Sequence, residues 1–459
     1  MGGRCQTATL TMIKPILIKN ASVVNEGELR KADVLVQDGR IHKIGDIAST
    51  INYHVIEATG KYLLPGIIDA QVHFREPGLT YKGDMSTESK AAVAGGVTSF
   101  IDMPNTVPNV LTRSILYDKY RMASACSLAN YGFFMGVNAD NVDVIINMDT
   151  SQFLAVSDDG LYFTKKGNLL ADNPDILNKL LANCKCIIAI HAEKERIIEE
   201  NENYYRSIYG EDIPVEFHPL IRSEKACLEA TQQAIDLARR HNARLHILHL
   251  STEAETHLFQ SNIPLAEKKI TTEVSIHHLW FSSNDYARLG ALIKWNPAIK
   301  SEHDRKGLFN ALLDDRIDII TTDHAPHTLE EKQKPYFQSL SGAPMVQHSL
   351  CVMLEFCRQG LISPEKIVEK MCHNPAVLYR VSERGFIREG YWADLTLVDL
   401  NSPWTVAREN ILYKCGWSPL EGTTFQSKVT HTFVNGNLVY EYGRFNAFIA
   451  GKALQITDS

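Results

Sequence analysis

No apolar run in the chain approaches the roughly 20 residues that span a bilayer, so the sequence predicts a soluble protein with no membrane partner. Blocks of like charge are missing too. The 47 basic and 54 acidic residues leave a formal net charge of −7, and neither sign forms the long runs of nucleic-acid-binding tails, so no nucleic acid is expected. Cysteine is present without a framework. The nine cysteines are scattered singly apart from Cys184 and Cys186, whose C-x-C spacing matches neither a zinc knuckle nor a redox C-x-x-C motif. An odd number at irregular spacing favours reduced thiols and hence the cytoplasm. The first dozen residues, MGGRCQTATLTM, lack the apolar core of a secretory signal, and Gln6 stands where a myristoylation motif needs Ser or Thr. Residues 1–12 are expected to be a disordered extension.

What the chain does have is 459 residues with 44% hydrophobic content, enough for one large core plus a smaller unit. Residues 13–64 alternate short β-rich runs with turns such as Asp38-Gly39, and a similar texture returns over 385–450, where Asn435-Gly436 is a strong hairpin signal. The two ends are expected to build one composite β-sandwich domain. Between them, over 65–384, runs such as VTSFIDM, YGFFMGV, CIIAIHA, RLHILHL, ITTEVSIHHL, ALIKWNP and IDIITTDHA alternate with helical patterns, one of them about Thr112 to Ala125. Repeated strand–helix units at this length predict an α/β fold, a (β/α)8 TIM-type barrel. The charge run EKERIIEENE, 193–202, reads as an exposed helix face.

Polar residues gather at the C-terminal ends of the runs, which is the catalytic face of such a barrel. Gln71, His73 and Arg75 follow the first run, His191 follows IIAI, His246 and His249 lie in HILHLST, and Asp323, His324 and His327 end IITTDHAPH. One strand-end histidine reads as structural. Several at successive strand ends read as a metal site. Imidazoles with carboxylates suit zinc or a similar divalent ion, and an open coordination position makes such a site catalytic by lowering the pKa of bound water to about 7. Asp323 combines ligand chemistry with a general acid/base role. His277 and His278 read as alternating faces of one strand, and Glu273 as outer support for a ligand histidine.

The succession HFREPG, DMPNT, a strand-end histidine, HLST, NP and TDHAPH resembles the amidohydrolase superfamily and, within it, the dihydroorotases, over nearly the whole chain. The resemblance implies a zinc enzyme that reversibly closes N-carbamoyl-L-aspartate to L-dihydroorotate in pyrimidine synthesis. It implies metal ligation by His73, His191, His249 and Asp323, carboxylate recognition by Arg75 and Asn105, and substrate contacts from Asn296 and His327. Backbone contacts from Ser341 and Gly342, in the polar loop 328–346, are implied likewise, as is a homodimer. Arg75 suits its role because a planar guanidinium forks onto a carboxylate; a surface pair with Glu76 is the bland alternative.

Two departures from the family pattern stand out. Gln71 replaces the first histidine of His-x-His, and no lysine matches the carboxylated lysine that bridges two metals in many members. The family register brings Asp159 of SDDGLYF to the bridging position, with Asp158 as the competing assignment and an ordinary turn as the bland reading. An amide oxygen binds zinc poorly, so a site shared by His73 and Asp323 should be weakened. The site of Asp159, His191 and His249 keeps every ligand. One or two zinc ions are therefore expected, with one tightly bound. Competing functions are a hydantoinase or allantoinase, and an inactive scaffold partnering an aspartate transcarbamoylase.

Overall fold

Apolar runs of three to seven residues, too short for helices, become the staves of a barrel. In chain order they are Ile67–Val72, Val97–Asp102, Asn130–Gly136, Ala155–Ser157, Ile187–Ile190, Leu245–Ile247, Ile270–Ser275 and Ile319–Thr321. Each pairs in parallel with the next. The ring closes where His73 N donates to the His324 carbonyl at 2.8 Å, beside a parallel bridge between Val72 and His324. These strands are buried almost throughout because helices cover them outside and side chains fill them inside. The structure is a computed structural model that describes residues 14–149, 153–161, 169–447 and 449–457. The expected 1–12 extension lies outside the described residues.

The covering helices follow their sequence signals. Arg113–Cys126 starts at Thr112, whose side chain accepts from Ile115 N, so one of the helix's unpaired first-turn donors is satisfied. Glu224–His241 is capped by Ser223 and buries Ala226, Ala230, Ala234 and Ala238, a stripe at i+4 spacing that lets it lie close to the strands. Asn242, at φ 49°, ends that helix in the left-handed conformation asparagine tolerates.

Both termini feed one nine-stranded mixed sheet. Leu395–Asp399, from the C-terminal part, pairs antiparallel with Tyr62–Pro65, from the N-terminal part, and Ile16–Asn25 lies on the far side of the latter. At its hairpin, Asn435 (φ 50°) and Gly436 (φ 77°) both take positive φ, as a two-residue turn with right-handed twist requires.

Two local expectations are overturned, and one strand carries no sequence signal. The run ALIKWNP is not a strand: Gly290–Ile293 forms a single 3-10 turn, started at a glycine with φ 55°. The barrel instead takes Ala155–Ser157, too short for an alternation signal. Finally, the seventh strand stops at Ser275 and Ile276–Trp280 is helical, so His277 and His278 lie on a helical turn, where Trp295 stacks flat on His277 at 4.0 Å. Among the described residues no helix is long and apolar enough to cross a membrane.

Candidate active site

Parallel strands aim all their C-terminal ends at one mouth, and five ends deliver ligand-type side chains there. His73 follows the first strand, Asp159 the fourth, His191 the fifth, His249 the sixth and Asp323 the eighth. They form two buried groups, Asp159–His191–His249 and His73–Asp159–Asp323, with the ligand atoms of each within 4.8 Å of one another. Asp159 belongs to both and divides its oxygens between them. Its Oδ1 lies 3.6 Å from His191 Nδ1 and 3.7 Å from His249 Nε2, while Oδ2 lies 3.3 Å from His73 Nε2. His73 Nε2 is also 3.0 Å from Asp323 Oδ1, and His191 Nδ1 is 3.0 Å from His249 Nε2. Gln71 reaches this cluster with Nε2 donating to Asp159 Oδ2 at 3.2 Å. An ionised carboxylate only accepts, so the amide must present its NH2 end there. Gln71 Oε1 is then buried with no hydrogen-bond partner.

A surrounding shell fixes which ring nitrogen faces inward. His73 Nδ1 bonds Asn105 Oδ1 at 2.7 Å, which turns Nε2 toward the two aspartates. His191 Nε2 bonds Glu193 Oε2 at 2.7 Å, and Arg222 closes tightly on the same carboxylate. Glu193 is therefore fully buried behind a ligand-type histidine, correcting its reading as part of an exposed charge face. Asp158, the alternative to Asp159, turns away: its carboxylate accepts from Leu170 N at 2.7 Å and His191 N at 3.0 Å. Glu273 pairs with His246 at 3.0 Å and accepts from the His249 backbone at 3.4 Å, so it supports the site through the main chain. Phe74, buried between Phe100 (4.3 Å) and the edge of His324 (5.7 Å), anchors the chain between His73 and Arg75 with about 1.5–3 kcal/mol of burial. Arg75 (φ 68°), His249 (φ 35°) and Asp323 (φ 44°) all hold left-handed backbone, a strain such sites retain when the surroundings overdetermine it.

The electrostatics follow from this packing. Burial opposes a charge on His73, but the hydrogen bonds of Asp159 and Asp323 outweigh it and raise the imidazole to about 9. His191 reaches about 9 as well, against its own burial, through Asp159 and Glu193. Burial pushes the Asp323 carboxyl up, with His73 pulling it back. Asp159, despite its burial, is held well below the usual carboxylate range by its three histidines.

Beside the cluster lies a small, narrow pocket, lined by His73, Asp159 and Asp323 on one side and by Arg75, Asn105, Asn296, Ser341 and Gly342 around them, with Trp295. Arg75 does not pair with Glu76, whose carboxylate accepts from Met85 N at 2.9 Å; it is buried and donates through Nε to the Pro326 carbonyl at 3.1 Å. His327 stands behind Arg75 instead of lining the pocket, with Nε2 3.0 Å from the Ser341 carbonyl. The Gly342 N–H already donates to the Lys294 carbonyl at 2.8 Å, and Lys332 Nζ holds the Gly342 and Leu340 carbonyls, both at 2.8 Å. Loop 328–346 is thus a braced wall. Lys82, Lys332 and Lys294, all buried against it or His327, carry no motif by which sequence reading finds them.

Three inward imidazoles and two carboxylates are a borderline-hard donor set. The carboxylates already pull protons onto His73 and His191, and a divalent cation would take the same places, so the residues fit a metal. A closed parallel barrel with such a cluster at its C-terminal mouth carries a candidate metal centre where barrels of this kind hold their active sites. Residues 62–439 match the amidohydrolase family, and the chain belongs to it. It is 32% identical over 418 residues to a dihydroorotase from Methanosarcina acetivorans, covering 89% of this chain and 88% of that one. An allantoinase from Bacillus velezensis is 30% identical over 442 residues, covering 94% and 95%. Among solved structures, an L-hydantoinase (dihydropyrimidinase) from Arthrobacter aurescens superposes with TM-score 0.87 at 25% identity, covering 96% of this chain and 99% of that one. The chain is accordingly a cyclic amide hydrolase in class.

Proposed function

We propose that the chain is a dihydroorotase, interconverting N-carbamoyl-L-aspartate and L-dihydroorotate. The observation that carries this reading is the buried Arg75 in the same small pocket as the His73–Asp159–Asp323 group. A buried guanidinium beside a hydrolytic centre selects a ring that bears a carboxylate. The dihydroorotase relatives support the same choice. In the hydrolytic direction, Arg75 and the Asn105 amide hold the carboxylate and so place the ring carbonyl over the cluster. Asp323 takes the proton of the attacking water and returns it to the departing ring nitrogen. One or two zinc ions held by His73, Asp159, His191, His249 and Asp323 would make water a nucleophile at neutral pH. Because Gln71 donates to Asp159 Oδ2, the Asp159–His191–His249 group would hold one ion more tightly than the His73–Asp159–Asp323 group would hold a second.

The allantoinase and hydantoinase neighbours favour a second reading, a cyclic amide hydrolase for rings without a carboxylate. A substrate panel with the zinc-loaded protein separates the two. Dihydroorotate turnover with no turnover of hydantoin or allantoin is expected. The reverse pattern would refute the dihydroorotase reading, and no turnover of any ring by protein with its metal verified would favour the scaffold.

A further inference from the structure

His327 has two hydrogen-bond patterns within reach, and they exclude each other. In the first, Lys82 Nζ donates to Nδ1 at 2.9 Å and Nε2–H donates to the Ser341 carbonyl at 3.0 Å. In the second, Nδ1–H donates to Glu331 Oε2 at 3.3 Å and Nε2 accepts from Arg75 NH2 at 3.2 Å. A neutral imidazole carries one proton, so either pattern cancels both bonds of the other. Burial, with the Arg75 charge beside it, keeps His327 neutral.

Lys82 decides between them. Both cations are donors only, but a proton on Nδ1 would confront the Lys82 ammonium at 2.9 Å, closer than the 3.2 Å at which a proton on Nε2 faces Arg75 NH2, and the Nε2 proton has the Ser341 carbonyl to receive it. Both contacts of the first pattern are the shorter ones. Glu331 does not need the imidazole proton either: it accepts from the Tyr81 hydroxyl at 2.6 Å, Thr328 N at 3.0 Å and Lys82 Nζ at 3.3 Å. Lys82 itself is buried and does not line the pocket.

We propose that Lys82 is a positioning residue for the carboxylate site. By occupying Nδ1 it keeps the His327 proton on Nε2, ties the ring to the Ser341 wall and leaves the Arg75 NH2 group for a ligand carboxylate. Without it, His327 Nε2 becomes an acceptor and draws that NH2 group away from the pocket. The tautomer claim stands alone; its consequence for substrate rests on the dihydroorotase reading.

The test uses zinc-loaded full-length protein carrying 15N-histidine, as wild type, Lys82→Met and Lys82→Arg, with His327→Gln to assign the signals. Wild type is expected to show protonated Nε2 and unprotonated Nδ1, Lys82→Met the reverse, and Lys82→Arg the wild-type pattern. The ratio of KM for dihydroorotate to KM for the same ring without its carboxylate should rise roughly ten- to hundredfold in Lys82→Met, with kcat changing less. Lys82→Gln replaces Lys82→Met if the latter does not fold. An unmoved tautomer in a folded variant overturns the proposal, and a moved tautomer with an unchanged KM ratio overturns its link to Arg75. If wild type turns over no carboxylated ring, the dihydroorotase reading fails, and the nitrogen signals alone decide the role of Lys82.

Discussion

Replacing Gln71 by histidine perturbs one half of the cluster and leaves the other half alone. In the wild type, Gln71 Nε2 donates at 3.2 Å to Asp159 Oδ2, the oxygen that also faces His73 Nε2 at 3.3 Å. A cation on the His73–Asp323 side must share that oxygen with the amide proton. The opposite oxygen, Oδ1, faces His191 and His249 with no such competitor. Outer hydrogen bonds of this kind change metal affinity by about 10- to 100-fold, or roughly 1.4–2.7 kcal/mol. Gln71→His removes the competitor and adds an imidazole, so the gain on the His73 side should exceed that range; Gln71→Leu removes the competitor alone and should gain within it. Zinc per chain is measured by mass spectrometry after equilibration against a graded chelator series. Wild type is expected to retain one zinc at chelator strengths where Gln71→His retains two, with Gln71→Leu between them. Identical retention curves for the three proteins would refute the argument that Gln71 sets occupancy.

Other perturbations read the same centre from different sides. Arg75→Lys keeps the charge but loses the fork, and KM for dihydroorotate should rise roughly 10- to 100-fold while zinc content stays constant. Glu193→Gln weakens the hydrogen bond to His191 Nε2 and strands Arg222 against a neutral amide, so zinc affinity should fall about 10- to 100-fold in the chelator series; unchanged affinity would mean that the Glu193–His191 bond of 2.7 Å is only structural. In metal-free protein, His73 and His191 titrate near 9 when folded against about 6.5 when unfolded, because their carboxylate partners outweigh burial. Their stabilisation is therefore complete below about pH 6.5 and lost as pH rises through about 9. Tm of the metal-free protein should fall across that window. The zinc-loaded protein, in which the ion replaces these protons, should vary less, and parallel curves would count against both histidines as ligands.

How much of this was legible depended on how locally each residue's role is encoded. The barrel was readable because buried parallel strands are near-continuous apolar runs, and the strand-end histidines because motif and position coincide. ALIKWNP misled for the same reason: its apolar content is real, and it is buried, but as the wall carrying Trp295 and Asn296 instead of as a stave. Glu193 lay at the head of a charge run whose later members do face solvent, and only the partners His191 and Arg222, two and 29 residues away, distinguish it. Lys82 is a lysine in a loop with no signal of its own; its meaning is its distance to His327, 245 residues on.

The D-D-G triplet at 158–160 shows how a short carboxylate comes to stand between two ligand groups. An aspartate carboxylate sits close to its own backbone, so it can stand between two ligand groups only if the main chain itself approaches them. Three features bring it there. The fourth strand ends after three residues, Asp158 ties the chain to the backbone of Leu170 and of His191, and Gly160 bends it at φ 69°. A Cβ at Gly160 would lie 2.0 Å from Asn105 Nδ2, so this approach is possible only without a side chain, and the amide it clears is the one whose oxygen orients His73. The turn chemistry that makes D-D-G look ordinary is thus the means by which the short Asp159 side chain comes to face both groups.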